Sequence, residues 1–226
     1  MSCYSVPDKL MYLHIPKTGG VTIRFALAKI VGAGMRDFDA LDEAHRTERD
    51  PGIANHFPIW RVQRLLQETG QEEAIPLVDL RSFMTVRNPW ARMVSLYAHR
   101  FSKRLMHYEG KPRNTEAEIA VIEQGFTTWL LRTPSPGDHI LTRTPQADWG
   151  KDKDGNFVVD RVLFLENLKE DWECLCLDWD LLHVLTGKHN VGNGQAKNYQ
   201  TCYDDETREH VAKYFSEDIK RWRYEF

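Results

Sequence analysis

The chain has 226 residues, 42% of them hydrophobic, which is enough apolar material for the core of one ordinary to large domain. With 30 Lys and Arg against 33 Asp and Glu the net charge is −3, so no global positive field exists to hold nucleic acid or an anionic membrane by counter-ion release. A polyanionic ligand needs a local basic pocket instead.

No apolar run approaches the roughly 20 residues of a membrane-spanning helix. The opening MSCYSVPDKLMYLHIP lacks the basic, apolar and small-residue regions of a secretory signal, so the expected location is cytoplasmic. The four cysteines, Cys3, Cys174, Cys176 and Cys202, show neither a zinc spacing nor a CxxC motif and read as free thiols.

In chain order, Leu10 to Ile15 (LMYLHI) is strand-like and stops at Pro16, with Gly19-Gly20 as a turn. From Thr22 the spacing of Ile23, Ala26, Leu27, Ile30 and Val31 is helical and ends at Gly32-Ala33-Gly34. Residues 36–55 are polar and read as irregular. Trp60, Val62, Leu65 and Leu66 predict a short helix stopped near Gly70, and Ser82 to Val86 (SFMTV) a second buried strand.

Asn88-Pro89 is a helix start, with Asn as N-cap and Pro in the first turn, and Trp90, Met93, Val94, Tyr97 and Phe101 follow at helical steps. Arg104 to Thr115 reads as an exposed connection, Glu116 to Leu131 as a helix, and Thr133 to Gly155 as loop. Arg161 to Leu165 is a third strand feeding a helix from about Asn167. Asp204 to Trp222 reads as one amphipathic helix with Val211, Tyr214, Phe215, Ile219 and Trp222 on its buried face.

Strands alternating with helices, without repeats or linkers, predict a single α/β domain over residues 1–226 with a mainly parallel central sheet flanked by helices. In such folds ligands sit at the carboxyl ends of the strands. Two segments of chemical character, Pro16 to Thr22 and Arg87 to Ser95, fall at such ends.

His14-Ile15-Pro16-Lys17-Thr18-Gly19-Gly20-Val21-Thr22 places a lysine and two threonines around a glycine pair between strand and helix. Amides at a helix N-terminus are unpaired donors at the positive end of the helix dipole, and glycines admit an anion closely. The nucleoside-triphosphatase loop places its lysine after the glycines, whereas Lys17 precedes them. The run resembles the 5′-phosphosulfate loop of sulfotransferases that use 3′-phosphoadenosine-5′-phosphosulfate, in particular the Golgi-type, family-2-like carbohydrate branch in a soluble form. The match is complete from His14 to Gly20, and Val21 then stands where that family more often has Thr or Ser.

Arg87 through Ser95 resembles the same family's 3′-phosphate motif, an Arg at a strand end and a Ser on the following helix. Ser95 lies 7 residues past Asn88, close to two helical turns. Arg offers phosphate a bidentate fork and a serine hydroxyl adds one bond. Similarity extends over Val159 to Asp171 and His183 to Phe226, but Phe164 replaces an arginine often found two residues before Glu166.

The resemblance implies a P-loop-like sulfotransferase fold and a donor bound by Lys17, Thr18, Gly19, Gly20, Val21, Thr22, Arg87 and Ser95. It implies an acceptor hydroxyl, most readily on a carbohydrate, and no metal. Lys17 then meets charge on the leaving phosphate, and a general base must take the acceptor's proton. His56, in the loop-like ANHFP between the two motifs, is the candidate among nine histidines. His45 is an alternative, as are Asp or Glu; His14 reads as a packed strand residue, and His99 and His107 as exposed. Two other functions stay open at this point: a P-loop-type small-molecule kinase, and a non-catalytic nucleotide-binding protein of the same fold.

Overall fold

The run LMYL forms strand β2, Leu10–Leu13, buried along its whole length because it runs through the middle of a sheet. The computed structural model describes residues 2–38, 40–41, 56–109, 125–131, 143–182 and 198–226. Along with β2, the sheet contains β1 (Cys3–Ser5), β3 (Arg36–Asp37), β4 (Arg81–Val86) and β5 (Arg161–Phe164), in the order β3-β1-β2-β4-β5. The pairs β2–β4 and β4–β5 are parallel, with Leu10 opposite Arg81 and Leu13 opposite Met84, then Phe83 opposite Arg161 and Val86 opposite Phe164. The predicted α/β class with a mostly parallel sheet is therefore observed, and β1 and β3 make it mixed by adding an antiparallel edge.

Residue contacts divide the chain into two compact units, Met1–Arg87 with His139–Asn190 and Asn88–Asp138 with Val191–Phe226. The first contains the sheet. Helix α1, Gly20–Val31, buries Ile23, Ala26 and Leu27 at helical spacing. These meet Leu10, Tyr12, Phe83 and Leu163 of the strands and Trp172, Leu175 and Cys176 of a further helix, so the apolar stripe of α1 and the even face of β2 share one core. Helix α2, Ile59–Thr69, buries Ile59, Val62, Leu65 and Leu66 and ends at Gly70, whose φ of 64° is the left-handed cap that glycine adopts without strain.

Strand β1 completes a hairpin with β2 around the turn Val6–Lys9, closed by Lys9 N–H donating to Val6 O at 3.1 Å. The two-residue strand β3 falls inside the segment expected to be irregular. It is held by pairing to β1 and by the Arg24–Asp37 ion pair.

The second unit is helical. Helix α3 spans Pro89–Glu109, so Arg104 to Glu109, expected as a connection, continues the helix. The reason is composition: Lys103, Arg104, Leu105 and Met106 are good helix formers and no Gly or Pro intervenes before Gly110. Asn88 caps α3 as predicted, its Oδ1 accepting from Trp90 N–H at 3.1 Å and Ala91 N–H at 3.3 Å. Its Nδ2 donates to the Glu225 carbonyl at 2.7 Å. Residues 125–131 are helical; residues 116–124 of that predicted helix lie outside the described ones.

Helix α4, Leu168–Asp178, belongs to the first unit and follows β5 after one 3₁₀ turn. The tail expected as one helix is two, α5 (Asp205–Tyr214) and α6 (Ser216–Trp222). Phe215, at φ −102° and ψ 27°, ends one and caps the next. The break buries Phe215 beside Val211, Trp90 and Phe126, while Tyr214, expected inside, lies outside stacked on His210. Asp204 and Thr207 form a capping box at the start of α5.

Asn88→Ala removes both the cap and the bond to Glu225. It should lower the unfolding free energy by about 1–2 kcal/mol, read as a lower urea midpoint at unchanged slope. Asn88→Asp keeps the cap acceptor and loses only the amide donor, so it should recover part of the loss. An unshifted midpoint for Asn88→Ala would show that the cap carries no weight.

Candidate functional site

Because β2 and β4 run parallel in the register above, their carboxyl ends stop side by side, and the Lys17 loop and Arg87 leave the sheet together. The Arg87 guanidinium donates from Nη1 to the Lys17 carbonyl at 3.3 Å. The two predicted phosphate motifs are thus joined directly, through Arg87 and the backbone of the first loop.

The loop gets its shape from three local features. Lys17 and Gly19 both have positive φ, 70° and 86°, so the chain turns sharply twice before α1 begins. The Thr18 hydroxyl, fully buried, donates to Ile15 O at 2.9 Å and braces the turn, so its one proton is spent within the loop. Gly20 has no room for a side chain, since a Cβ there would lie 1.9 Å from the His14 ring.

No side chain caps α1, and its first turn contains no acidic residue. The start of a helix is the positive end of its dipole, and no acidic side chain of that turn opposes a negative charge there. Thr22 N–H is used by the Gly19 carbonyl at 3.0 Å, and Val21 is 37% exposed at the helix start.

Electrostatics agree with an anion. Burial, and after it the neighbouring Arg87 charge, lowers the Lys17 pKa below its ordinary value, because an ammonium is disfavoured there. A phosphate or sulfate oxygen would offset both causes at once.

Arg87 is itself held by a residue that sequence reading missed. Gln146, fully buried in the 3₁₀ turn Gln146–Gly150, accepts from Arg87 N–H at 2.9 Å and donates to Arg87 O at 2.8 Å. The only signal was Pro145 ahead of a buried Trp149 in a stretch otherwise of loop composition.

His56 lies in the same unit. Its Nδ1 is 2.9 Å from the His14 carbonyl, and a carbonyl only accepts, so Nδ1 carries the proton. In the neutral imidazole this tautomer makes Nε2 the basic nitrogen. The rings of His14 and His56 meet edge to face at 4.6 Å, and Trp149 packs edge-on against His56 at 6.3 Å. His14 is the packed strand-end residue expected, 9% exposed. Burial, with the N-terminal, His56, Arg24 and Lys17 charges adding to it, drives its pKa well below the ordinary 6.5.

Ser95 lies on α3 in the second unit, half-buried. His99 is exposed on the same helix, and position 107 also falls within α3. His45 lies outside the described residues. Among the described residues no three His, Cys, Asp or Glu side chains gather as a metal site, and no helix is long and apolar enough to cross a membrane.

The depressed His14 pKa makes a stability prediction. The unfolded chain takes up a proton at this residue near pH 6.5 while the folded chain does not, so stability is flat above that pH and falls as pH drops below it. The slope reaches about 1.4 kcal/mol per pH unit for one proton. His14→Gln should flatten the fall between pH 6.5 and 5, followed by urea midpoints; parallel slopes in both proteins would remove His14 as the cause.

No curated protein and no solved structure matches the chain. A family model described as the Sulfotransferase family matches residues 3–225, which takes in both units, the Lys17 loop, His56 and the Arg87–Ser95 segment. The chain belongs to the sulfotransferase family.

Proposed function

We propose that the protein transfers a sulfuryl group from 3′-phosphoadenosine-5′-phosphosulfate to an acceptor hydroxyl, most readily on a carbohydrate. The observation that carries this reading is the bond from Arg87 to the Lys17 carbonyl, which links the two phosphate motifs at the end of one sheet. Family membership supports the transferase chemistry, and the sequence resemblance supports this donor and acceptor class.

The bound donor supplies an activated sulfur joined through oxygen to its 5′-phosphate. The leading amides of α1 and Lys17 hold that phosphate, while Arg87 and Ser95 are assigned to the 3′-phosphate from the sequence motif. The acceptor oxygen forms a bond to sulfur as the sulfur–oxygen bond to the phosphate breaks. His56 Nε2 takes the acceptor proton, and the Lys17 ammonium offsets charge growing on the departing phosphate. No step in this scheme calls for a metal.

Two readings remain as outcomes of the test. A small-molecule kinase would move phosphate instead, and a nucleotide-binding protein of this fold would bind without transfer. Incubation with isotope-labelled donor and a panel of glycans, phenols and small metabolites, read by mass spectrometry, separates them. Appearance of a sulfated glycan supports the proposal, and binding without transfer to any member overturns it.

3′-Phosphoadenosine-5′-phosphate should raise the thermal midpoint by mass action, and adenosine-5′-phosphate should do much less. Arg87→Ala should weaken the first selectively, and chelator should change neither. Equal stabilisation by both nucleotides would remove the 3′-phosphate role of Arg87 and Ser95.

Lys17→Ala should lower both donor binding and turnover, because its charge meets the phosphate in ground and transition states alike. His56→Ala should leave donor binding intact and reduce turnover by roughly 10²–10⁴-fold. Near-wild-type turnover in His56→Ala at saturating acceptor would move the base to another residue.

A further inference from the structure

We propose that Ser2 is a positioning residue for His56, fixing the tautomer that leaves Nε2 able to accept a proton. The proposal rests on the reading of His56 as the base and extends it to a residue outside every motif.

Ser2 immediately precedes β1 and is 1% exposed. Its Oγ accepts from His14 N–H at 2.9 Å and from Phe57 N–H at 3.2 Å, and donates to Phe57 O at 3.2 Å. A hydroxyl has one proton and two lone pairs, so all of its capacity is used within this set. Its backbone is anchored as well, the Ser2 carbonyl accepting from Phe38 N–H at 3.4 Å while Cys3 pairs with Tyr12 and Asp37.

The three bonds bracket one more. His14 contributes its amide to Ser2 and its carbonyl to His56 Nδ1; Phe57 follows His56 in the chain and is held at both its amide and its carbonyl. Ser2 therefore sets the separation between the end of β2 and the 56–58 segment, and His56 reaches the His14 carbonyl across that separation. A hydrogen bond weakens steeply once its distance and angle are lost. If the segment drifts, Nδ1 loses its acceptor, the other tautomer gains population, and a smaller fraction of molecules presents a basic Nε2.

The test uses the full chain with Ser2→Ala, Ser2→Cys and Ser2→Thr, and reads the His56 tautomer from imidazole ¹⁵N shifts, assigned by the signal missing in His56→Ala. In the wild type the shifts should report protonated Nδ1 and unprotonated Nε2. Ser2→Ala should show the Nε2–H tautomer, and Ser2→Thr, which keeps the hydroxyl, should restore the wild-type pattern. If Ser2→Ala does not fold, Ser2→Cys substitutes a near-isosteric group of weak hydrogen-bonding power.

In the same variants, turnover on the acceptor identified above should fall about tenfold for Ser2→Ala, while affinity for 3′-phosphoadenosine-5′-phosphate stays within about twofold. An unchanged tautomer in both Ser2→Ala and Ser2→Cys overturns the proposal whatever the activity. A changed tautomer together with undiminished turnover in His56→Ala overturns instead the reading of His56 as base, and with it the functional role given to Ser2.

Discussion

The parallel register of β2 on β4 is the constraint from which the candidate site follows. With Leu13 opposite Met84, the chain leaves both strands at the same edge, and the Lys17 loop and Arg87 emerge within hydrogen-bond reach of one another. A slip of either strand by one residue would turn Tyr12 or Phe83 out of their shared core and shift Arg87 relative to the loop. Packing of α1 and α4 on those same residues is what holds the register. Core and site are thus one geometric fact, the first reading the side chains of the strands and the second reading their ends.

Net charge misleads about such a site. The whole chain is at −3, yet around the loop lie Lys17 and Arg87, an acid-free first turn and the positive end of α1. Burial first, and the Arg87 charge after it, lowers the Lys17 pKa. A ligand with several negative oxygens, as the proposed donor has, would offset both. For the proposed donor, it is this local field rather than the composition that bears on binding.

Much of this was legible in the sequence because it depends on short-range chemistry. The apolar runs of β2 and β4, the helical spacing of α1, the Asn88-Pro89 cap and the Gly70 stop are all local, and all were found. What escaped depends on partners distant in the chain. Strand β3 has two residues and exists only because β1 lies beside it, and Ser2 and Gln146 act on residues 55 and 59 positions away. The break at Phe215 escaped for another reason: the periodicity of the tail fits one helix, and only the cluster around Trp90 and Phe126 decides that Phe215 goes in and Tyr214 stays out.

Lys17 occupies the left-handed region at φ 70°, where a residue with a side chain sits about 1–2 kcal/mol above glycine. A search guided only by heat tolerance would therefore be drawn to this position, since glycine or asparagine there relaxes the backbone. Every such gain would delete the Lys17 ammonium. With the role proposed for Lys17, strain at this residue separates two kinds of pressure on the gene: variants chosen for robustness drift away from lysine, and variants chosen for chemistry return to it. The identity of residue 17 in a laboratory-evolved population would reveal which pressure had prevailed.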